Sequence, residues 1–415
     1  MSAGRRRADV LYLSYDGLLE PLGASQVLPY VRRLRARGVS LELLTFEKAG
    51  SDVGPRRDGL ARLLAEEGIP WTPLRYHKSP TLPATAWDVS VGRRHVRAWA
   101  RALAAEGRRG LVHARGYLPG LMGLAGRPLG AKLLFDIRSF WVDERIQGGY
   151  WAEGSLQARI GRWIERRLLS EADHLILVTQ RGAQRLGALT PGGEPPLWTV
   201  VPPCVDVDRF VPVTDRAAVR RELGMGPPPV LVHIGTLTGW YDGRLTMAVG
   251  KAFVERTGGS FVVLSRDEAE VRRLAGEVGV DALIRFVQPE EIPRWLQGAD
   301  AGLALPRISD SKDASFPVKI AEYLACGLAV LATPIGDVAD FEDGISLRVL
   351  GGEHDVEAAV AWLARAVEDP RRPAASRAMA EARLSVAGGA RKLGSVYRLL
   401  GIAHEGRPDA EGSGL

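Results

Sequence analysis

Short apolar runs alternate with stretches of helical periodicity along almost the whole chain. Such runs, bounded by turn residues, read as buried strands, and the periodic stretches between them as crossover helices. In the first half the runs fall at residues 10–14, 41–46, 71–75, 111–114, 132–137 and 174–179. A second series begins near residue 230 and continues at 261–264, 283–287, 301–305 and 329–333. This alternation predicts an α/β fold with parallel sheets. Between the series lies PGGEPPLWTVVPPCVDVDRFVPVTDR, whose prolines and turn residues mark a domain boundary near residues 205–215. The expected division is a Rossmann-like domain over 1–205 and a second over 206–385. A last helix follows over 386–402, then a small, polar, disordered tail over 403–415.

The stretch SDSKDASFPVKIAEYLACGLAVLATPIGD, residues 309–337, reads as loop, short helix, strand and loop. Ser315 is the expected N-cap, with Pro317 in the first turn, where a missing N–H costs nothing. Ile320, Tyr323 and Leu324 share a core face, and Lys319 and Glu322, three apart, share another. Gly327 ends the helix. Because a strand precedes the loop, the helix N-terminus should lie at the carboxyl edge of a parallel sheet, where such sheets bind ligands. A helix N-terminus favours anions, and Lys319 adds a full positive charge. The bland alternative is an exposed i,i+3 ion pair contributing only about a few tenths of a kcal/mol.

At 415 residues, 46% apolar and 25% charged, the chain has the make-up of a globular protein with room for more than one core. Its net charge of +6 suits anionic ligands or an anionic membrane surface. No basic run and no zinc-finger spacing points to nucleic acid. Two cysteines, Cys204 and Cys326, cannot build a disulfide framework and suit a reducing cytoplasm. The apolar stretch behind the basic start is too short for a signal peptide, and no run reaches the ~18 apolar residues of a membrane span. Neither G-x-G-x-x-G nor G-x-x-x-x-G-K-[ST] occurs, which counts against dinucleotide and ATP cofactors. Asp206-Val-Asp208 matches a three-letter metal motif but sits in the interdomain link, where a capping role is expected, so no metal is expected.

The string P-x-K-x-x-E-Y-L-A-C-G-L-A-V-L-A-T resembles the nucleotide-sugar-binding segment of family 4 glycosyltransferases. That family has the GT-B fold, two Rossmann-like domains whose parallel sheets face a central cleft. The resemblance implies donor contacts from Ser315, Phe316, Pro317, Lys319 and Glu322. Where the family usually has a first acidic residue, this chain has Ala314, with Asp313 beside it. Gly23-Ala24-Ser25, after the first strand, resembles the family's N-terminal glycine loop, implying that Gly23 and Ser25 approach the donor phosphate; a simple β–α turn is the alternative. VLVHIGTLTGWYDGR resembles the family's second glycine-rich turn and implies donor contacts from Gly235 and Thr236. Thr236 stands where an arginine is usual, and the lysine position falls near Tyr241 and Asp242. Arg244, Arg266, Arg307 and Lys312 are the candidate substitutes. The segment around Phe286 resembles the part that packs against the nucleobase, and the family pattern has one of the last helices, here 386–402, cross back to the first domain.

On the acceptor side, AKLLFDIRSFWVDERIQGGYW interleaves aromatic residues with charges, the mix that sugar sites use. Asp136, Trp141, Glu144 and Arg145 are the expected acceptor contacts; for Asp143, an internal Asp–Arg network is an equal alternative. Arg138 stands near the family's strand-end histidine, and Arg115 ends the strand of LVHARGYLPG, where His113 reads as a packed core residue. With Lys319, Arg138 and Arg115 are the candidate catalytic residues. SYDG, PLGASQVLP and FDIRSFWVDER together resemble a subgroup associated with cell-surface polysaccharide assembly. The helix over 155–172 carries Arg159, Arg162, Arg166 and Arg167 mostly on one face, either a solvated basic face or a surface for an anionic membrane.

The resemblance therefore implies a retaining, metal-independent glycosyltransferase with a UDP- or GDP-linked sugar as co-substrate and no cofactor. The implied acceptor is a carbohydrate, a lipid-linked or a small molecule. The implied location is the cytoplasm, with peripheral contact at the inner face of the plasma membrane an open option. A nucleotide-sugar epimerase or hydrolase of the same fold and a non-catalytic nucleotide-sugar-binding subunit are the alternatives. No nucleophile–base pair is legible, so the chemistry would fall to helix dipoles, Lys319 and arginines.

Overall fold

The computed structural model describes residues 7–50, 54–190 and 192–403, so the tail expected to be disordered lies, from residue 404 on, outside the described residues. Seven strands form the first sheet: β1 (Val10–Ser14), β2 (Leu41–Glu47), β3 (Trp71–Arg75), β4 (Leu111–Arg115), β5 (Lys132–Ile137), β6 (His174–Leu177) and β7 (Trp198–Val200). Their order is β3-β2-β1-β4-β5-β6-β7, and every pair is parallel. Six more form the second sheet: β8 (Val230–Ile234), β9 (Ser260–Leu264), β10 (Leu283–Arg285), β11 (Ala301–Ala304), β12 (Ala329–Ala332) and β13 (Leu347–Val349). They run in the order β10-β9-β8-β11-β12-β13, again all parallel.

Each sheet is covered on both faces, which is why its strands read as unbroken apolar runs. Along β1, Leu11 and Leu13 enter one core, while Val10 and Tyr12 enter the core on the opposite face. Along β8, Val230 and Val232 face one way and Leu231 the other. Two edge strands, β7 and β13, were not expected from the pattern. Both are three residues long, and β7 is flanked by prolines, so neither carries a recognisable apolar run.

The chain returns to the first sheet at its end. The helix Val386–Leu399 shares a core with Val10, Tyr12 and Tyr30, and its Gly389 is pressed against the Tyr30 ring and the Cys204 sulfur. Ser385 caps it, accepting from the Gly388 N–H at 3.2 Å.

Several contacts fix how the two sheets face each other. Asp337, behind β12, accepts the Gln180 and Arg181 backbone N–H groups at 2.6 and 3.1 Å, behind β6. Ala314 is buried against Gly182, where an added Cβ would lie 3.1 Å from Ala314 Cα and Cβ. Arg185 stands between Asp143 and Asp313, 3.5 Å from each, with its guanidinium over the Phe140 ring. Lys312, buried, pairs with Glu144 Oε1 at 2.6 Å and lies 3.8 Å from the centroid of Trp240.

Candidate active site

The helix of the 309–337 stretch spans Val318–Ala325, starting two residues later than a Ser315 cap implies. Pro317 occupies the cap position without a side-chain hydrogen bond, so Ser315 is not the N-cap. The cause is local: the residue before a proline is held extended, so Phe316 cannot be helical. Behind the cap, Phe316 turns into the joint between the domains and packs against Phe341, ring centroids 5.1 Å apart and tilted at 57°. It faces away from the crevice that Glu322 lines.

That crevice has a volume of about 400 Å³ and lies between the domains. Pro21, Ala24 and Ser25 form one wall; Gly235, Thr236, Arg266, Phe286 and Glu322 belong to the other. Gly23 is not in the wall. It is buried because the carbonyl of Gly17 packs where its Cβ would be, so its lack of a side chain serves the loop and not a ligand. That loop is held by Glu47, at the end of β2, whose carboxylate accepts the Leu18 and Leu19 N–H groups at 2.9 and 3.4 Å and the Thr45 hydroxyl at 2.7 Å. Sequence reasoning passed over Glu47, although an acid closing an apolar strand was a signal that something nearby needed an acceptor.

Gly235 follows β8 with a φ of +101°, a conformation that a side chain would strain. A Cβ there would point at Lys319 Nζ, 3.5 Å away. The ammonium thus lies directly behind the glycine turn, covered from solvent and with no hydrogen-bond partner. It sits 3.8 Å from the centroid of the Tyr241 ring, where the expected second cation would have stood. Burial pushes the Lys319 ammonium down to about 7, with Glu322 pulling the other way. Burial likewise pushes the Glu322 carboxyl up to about 7, against Lys319 and Arg209. His233, buried behind this group, is held well below its ordinary value by burial and by Lys319. The Gly235 N–H is taken by the Leu264 carbonyl at 2.8 Å, so what this turn offers a dense anion is the unpartnered ammonium behind it.

Of the four candidate substitutes for the missing clamp, only Arg266 lines the crevice, its guanidinium over the Phe286 ring at 5.5 Å. Arg244 pairs with Glu277 at 2.8 Å, Arg307 bonds the Tyr241 carbonyl at 3.3 Å, and Lys312 is held by Glu144. Arg209 also lines the crevice, which sequence reasoning missed. The Thr236 hydroxyl is turned into its own loop, 2.9 Å from the Thr238 hydroxyl. Asp206 accepts the Asp208 N–H at 3.2 Å and Asp208 pairs with Arg33, so the Asp-Val-Asp segment is tied into the link.

A second basin, about 640 Å³, opens at the carboxyl ends of β1 and β4 in the first domain. Arg115, Arg138, Trp141 and Arg145 line it together with Tyr15 and Trp151. Asp136 lies beneath, with Arg138 at 3.3 Å and Arg115 and His113 at 3.5 Å. Burial alone would raise its carboxyl, but Arg138, His113 and Arg115 together hold it well below the usual carboxylate range. Asp136 is therefore a buried anchor for two arginines, and the basin surface is aromatic and net cationic, with Arg115, Arg138, Arg145 and Lys48 against Asp16 and Glu20. His113 continues inward to the Tyr397 hydroxyl at 2.6 Å, on the returning helix. Glu144 leaves the basin: Ser139 and Lys312 hold it at the domain joint. Asp143 goes to Arg162 and Arg185, the internal network named as its alternative.

A family model described as "Glycosyl transferase 4-like domain" matches residues 23–204, and one described as "Glycosyl transferases group 1" matches residues 228–369. The chain is 27% identical over 332 residues to D-inositol 3-phosphate glycosyltransferase of Nocardia farcinica, covering 75% of this chain and 69% of that one. It is 29% identical over 247 residues to the protein of the same name from Streptomyces bingchenggensis, covering 54% of this chain but only 52% of the relative. Among solved structures, HepE of Anabaena in complex with UDP superposes with a TM-score of 0.68 at 16% identity, covering 94% of this chain and 100% of that one. Sucrose-phosphate synthase of Thermosynechococcus elongatus superposes at 0.65 with 18% identity, covering 94% and 99%. At those identities the likeness is one of fold, and that fold is GT-B. With one family domain matched on each side of the crevice, the chain belongs to the group 1, family 4 glycosyltransferases.

Proposed function

We propose that the protein transfers a sugar from a nucleotide diphosphate sugar to an acceptor hydroxyl, with retention and without a metal ion. One observation carries this: the partnerless Lys319 ammonium behind the Gly235 turn, at the wall of a 400 Å³ interdomain crevice. Crevices of this size enclose a ligand as large as a nucleotide. The diphosphate would lie over the Gly235 turn beside Lys319, the ribose hydroxyls would reach Glu322, and the base would lie by Phe286 and Arg266. The acceptor hydroxyl would attack from the face the diphosphate leaves. Its oxygen bonds the anomeric carbon as the carbon–phosphate-oxygen bond breaks, and its proton passes to the leaving phosphate. The charge developing on that phosphate is what Lys319 and the backbone dipoles would stabilise.

UDP is favoured over GDP because HepE, a GT-B neighbour, was solved with UDP. The relatives are named for a phosphate-bearing acceptor, and a basin with three arginines suits an anionic one. Polysaccharide, glycolipid or glycoconjugate synthesis at the inner face of the plasma membrane is the setting we favour. The assay is calorimetry with UDP and GDP on the parent chain and Glu322→Ala, followed by turnover of UDP-sugars with candidate acceptors. Binding of UDP that Glu322→Ala weakens supports the proposal; no binding of either nucleotide removes it. A second reading, a subunit that binds donor without turnover, is favoured by the Tyr241 ring standing where a cation was expected. Donor binding with no transfer to any acceptor would select it.

A further inference from the structure

The helix Leu156–Glu171 does not present the single basic face that its sequence suggests. Arg162 turns inward to Asp143 and Glu165, and Ile164 and Leu168 are buried in the core. A second apolar stripe then faces solvent: Leu156 is 65% exposed, Ile160 44% and Trp163 53%. Their spacing of four and three residues puts them on one line. Arg159 and Arg166 flank the line, and Arg167 lies over the Trp163 ring at 5.4 Å.

The helix Thr81–Ala105 also exposes two large apolar side chains, five positions apart and so not on one line. Leu82 is 56% and Trp87 55% exposed, with Arg94 over the Trp87 ring at 5.4 Å and Arg97 and Arg101 further along. The two helices are neighbours. Both pack on the helix Tyr117–Gly123, and Arg93 and Arg167 are close enough to repel. Their amino ends meet at the cationic basin, which Leu82 and Thr85 line from one helix and Gln157 from the other. Two acids on these helices are withdrawn, Asp88 under Tyr15 and His77 and Glu165 under Tyr117, while Glu171 at the far end pairs with Arg167 at 2.7 Å. No ion pair holds Arg94, Arg97, Arg159 or Arg166 among the described residues.

We infer that this two-helix face docks the protein on an anionic lipid bilayer, with the basin mouth at the membrane surface. Solvent-facing tryptophans and aliphatics beside arginines are the chemistry of an interfacial helix: the apolar line enters the headgroup boundary and the arginines meet lipid phosphates. The contiguous line of Leu156, Ile160 and Trp163 is more than the scattered apolar residues of a plain solvated face. This deepens the proposed function and rests on it for one consequence. An acceptor entering a basin that opens onto a bilayer is a membrane-embedded amphiphile with an anionic headgroup, not a freely diffusing sugar.

The test is cosedimentation of the full chain with phosphatidylcholine vesicles, with and without phosphatidylglycerol. Selective pelleting with the anionic vesicles that weakens as salt rises is the expected result. Trp87→Ala with Trp163→Ala, and separately Arg159→Gln with Arg166→Gln, should each lower partitioning by about tenfold. None of the four lines the nucleotide crevice, so UDP binding by calorimetry should stay at the parent level and certifies the fold. Equal pelleting with both vesicles, no pelleting, or variants that bind like the parent overturns the inference. A dimer that Trp163→Ala dissociates, in a chain that ignores vesicles, overturns it in favour of self-association. In each case UDP binding reports separately on the proposed function.

Discussion

The Lys319 ammonium lies 3.8 Å from the centre of the Tyr241 ring, with the Gly235 turn on its other side. Among the described residues it has neither an ion pair nor a hydrogen bond there. The ring face supplies part of the stabilisation that a carboxylate would give, without competing for the charge. A diphosphate arriving over Gly235 would meet an amine that no side chain pairs, and would favour its charged form. Lys319→Ala should therefore lower kcat by about a hundredfold to a thousandfold. Its melting temperature should not fall, because a buried charge without a partner is removed. Steady-state rates with a UDP-sugar and a thermal melt on the same preparation check both halves.

The same burial gives a pH dependence whose sign can be worked out. The Lys319 ammonium is lowered from 10.5 to about 7, so the unfolded chain binds the proton more tightly than the folded one. Its contribution to stability is unfavourable below about 7 and is relieved as pH rises from there toward 10.5. Glu322 is raised from 4.5 to about 7, so it favours the fold at low pH and that support is lost as pH climbs through this interval. A bound diphosphate restores the lysine proton. At pH 8, UDP binding should take up close to one proton, and affinity should fall by up to about tenfold per unit above neutrality. Calorimetry in buffers of different ionisation enthalpy measures the uptake, and Lys319→Met should abolish it.

The strands were legible because both sheets are buried on both faces, so each central strand is an apolar run such as Val10–Ser14 or Ala329–Ala332. The edge strands β7 and β13 were not, since three residues beside prolines or glycines carry no period. Glu322 and Gly235 line the crevice, and Lys319, three residues before Glu322, lies behind the Gly235 wall and not in the lining. Pairings between distant charges were invisible: Lys312 finds Glu144 across 168 residues, and no local pattern records it. That one pairing removed both a candidate diphosphate cation and a candidate acceptor contact. Phe316 was misplaced for a nearer reason, because Pro317 delays the helix and turns the preceding residue into the domain joint.

Gly235 tests whether the turn or its side-chain neighbours matter more. At φ +101° any side chain is strained, by about 1–2 kcal/mol. The added methyl would also point at Lys319 Nζ, 3.5 Å away. Gly235→Ala should lower the melting temperature modestly and weaken UDP binding more than the strain alone accounts for. Comparing the change in calorimetric affinity with the change in unfolding free energy separates the two; equal changes would mean that the turn is structural only.

Ala314 stands where the family pattern has its first acid, so restoring the acid is the natural attempt to improve the enzyme. The packing predicts the opposite. Ala314 is 1% exposed and lies against Gly182 of the other domain, while Arg185 beside it is occupied by Asp143 and Asp313. A glutamate there would overpack the joint, at a cost of about 1–3 kcal/mol, and bury a charge whose nearest guanidinium is already shared. The strain is relieved only by parting the domains, which also widens the crevice that Ser25 and Glu322 line from opposite sides. Ala314→Glu should therefore melt lower, show a larger radius of gyration in solution scattering and bind UDP more weakly. A variant as compact and as stable as the parent would mean that the joint at Ala314 opens in solution and that the acid can reach the donor sugar.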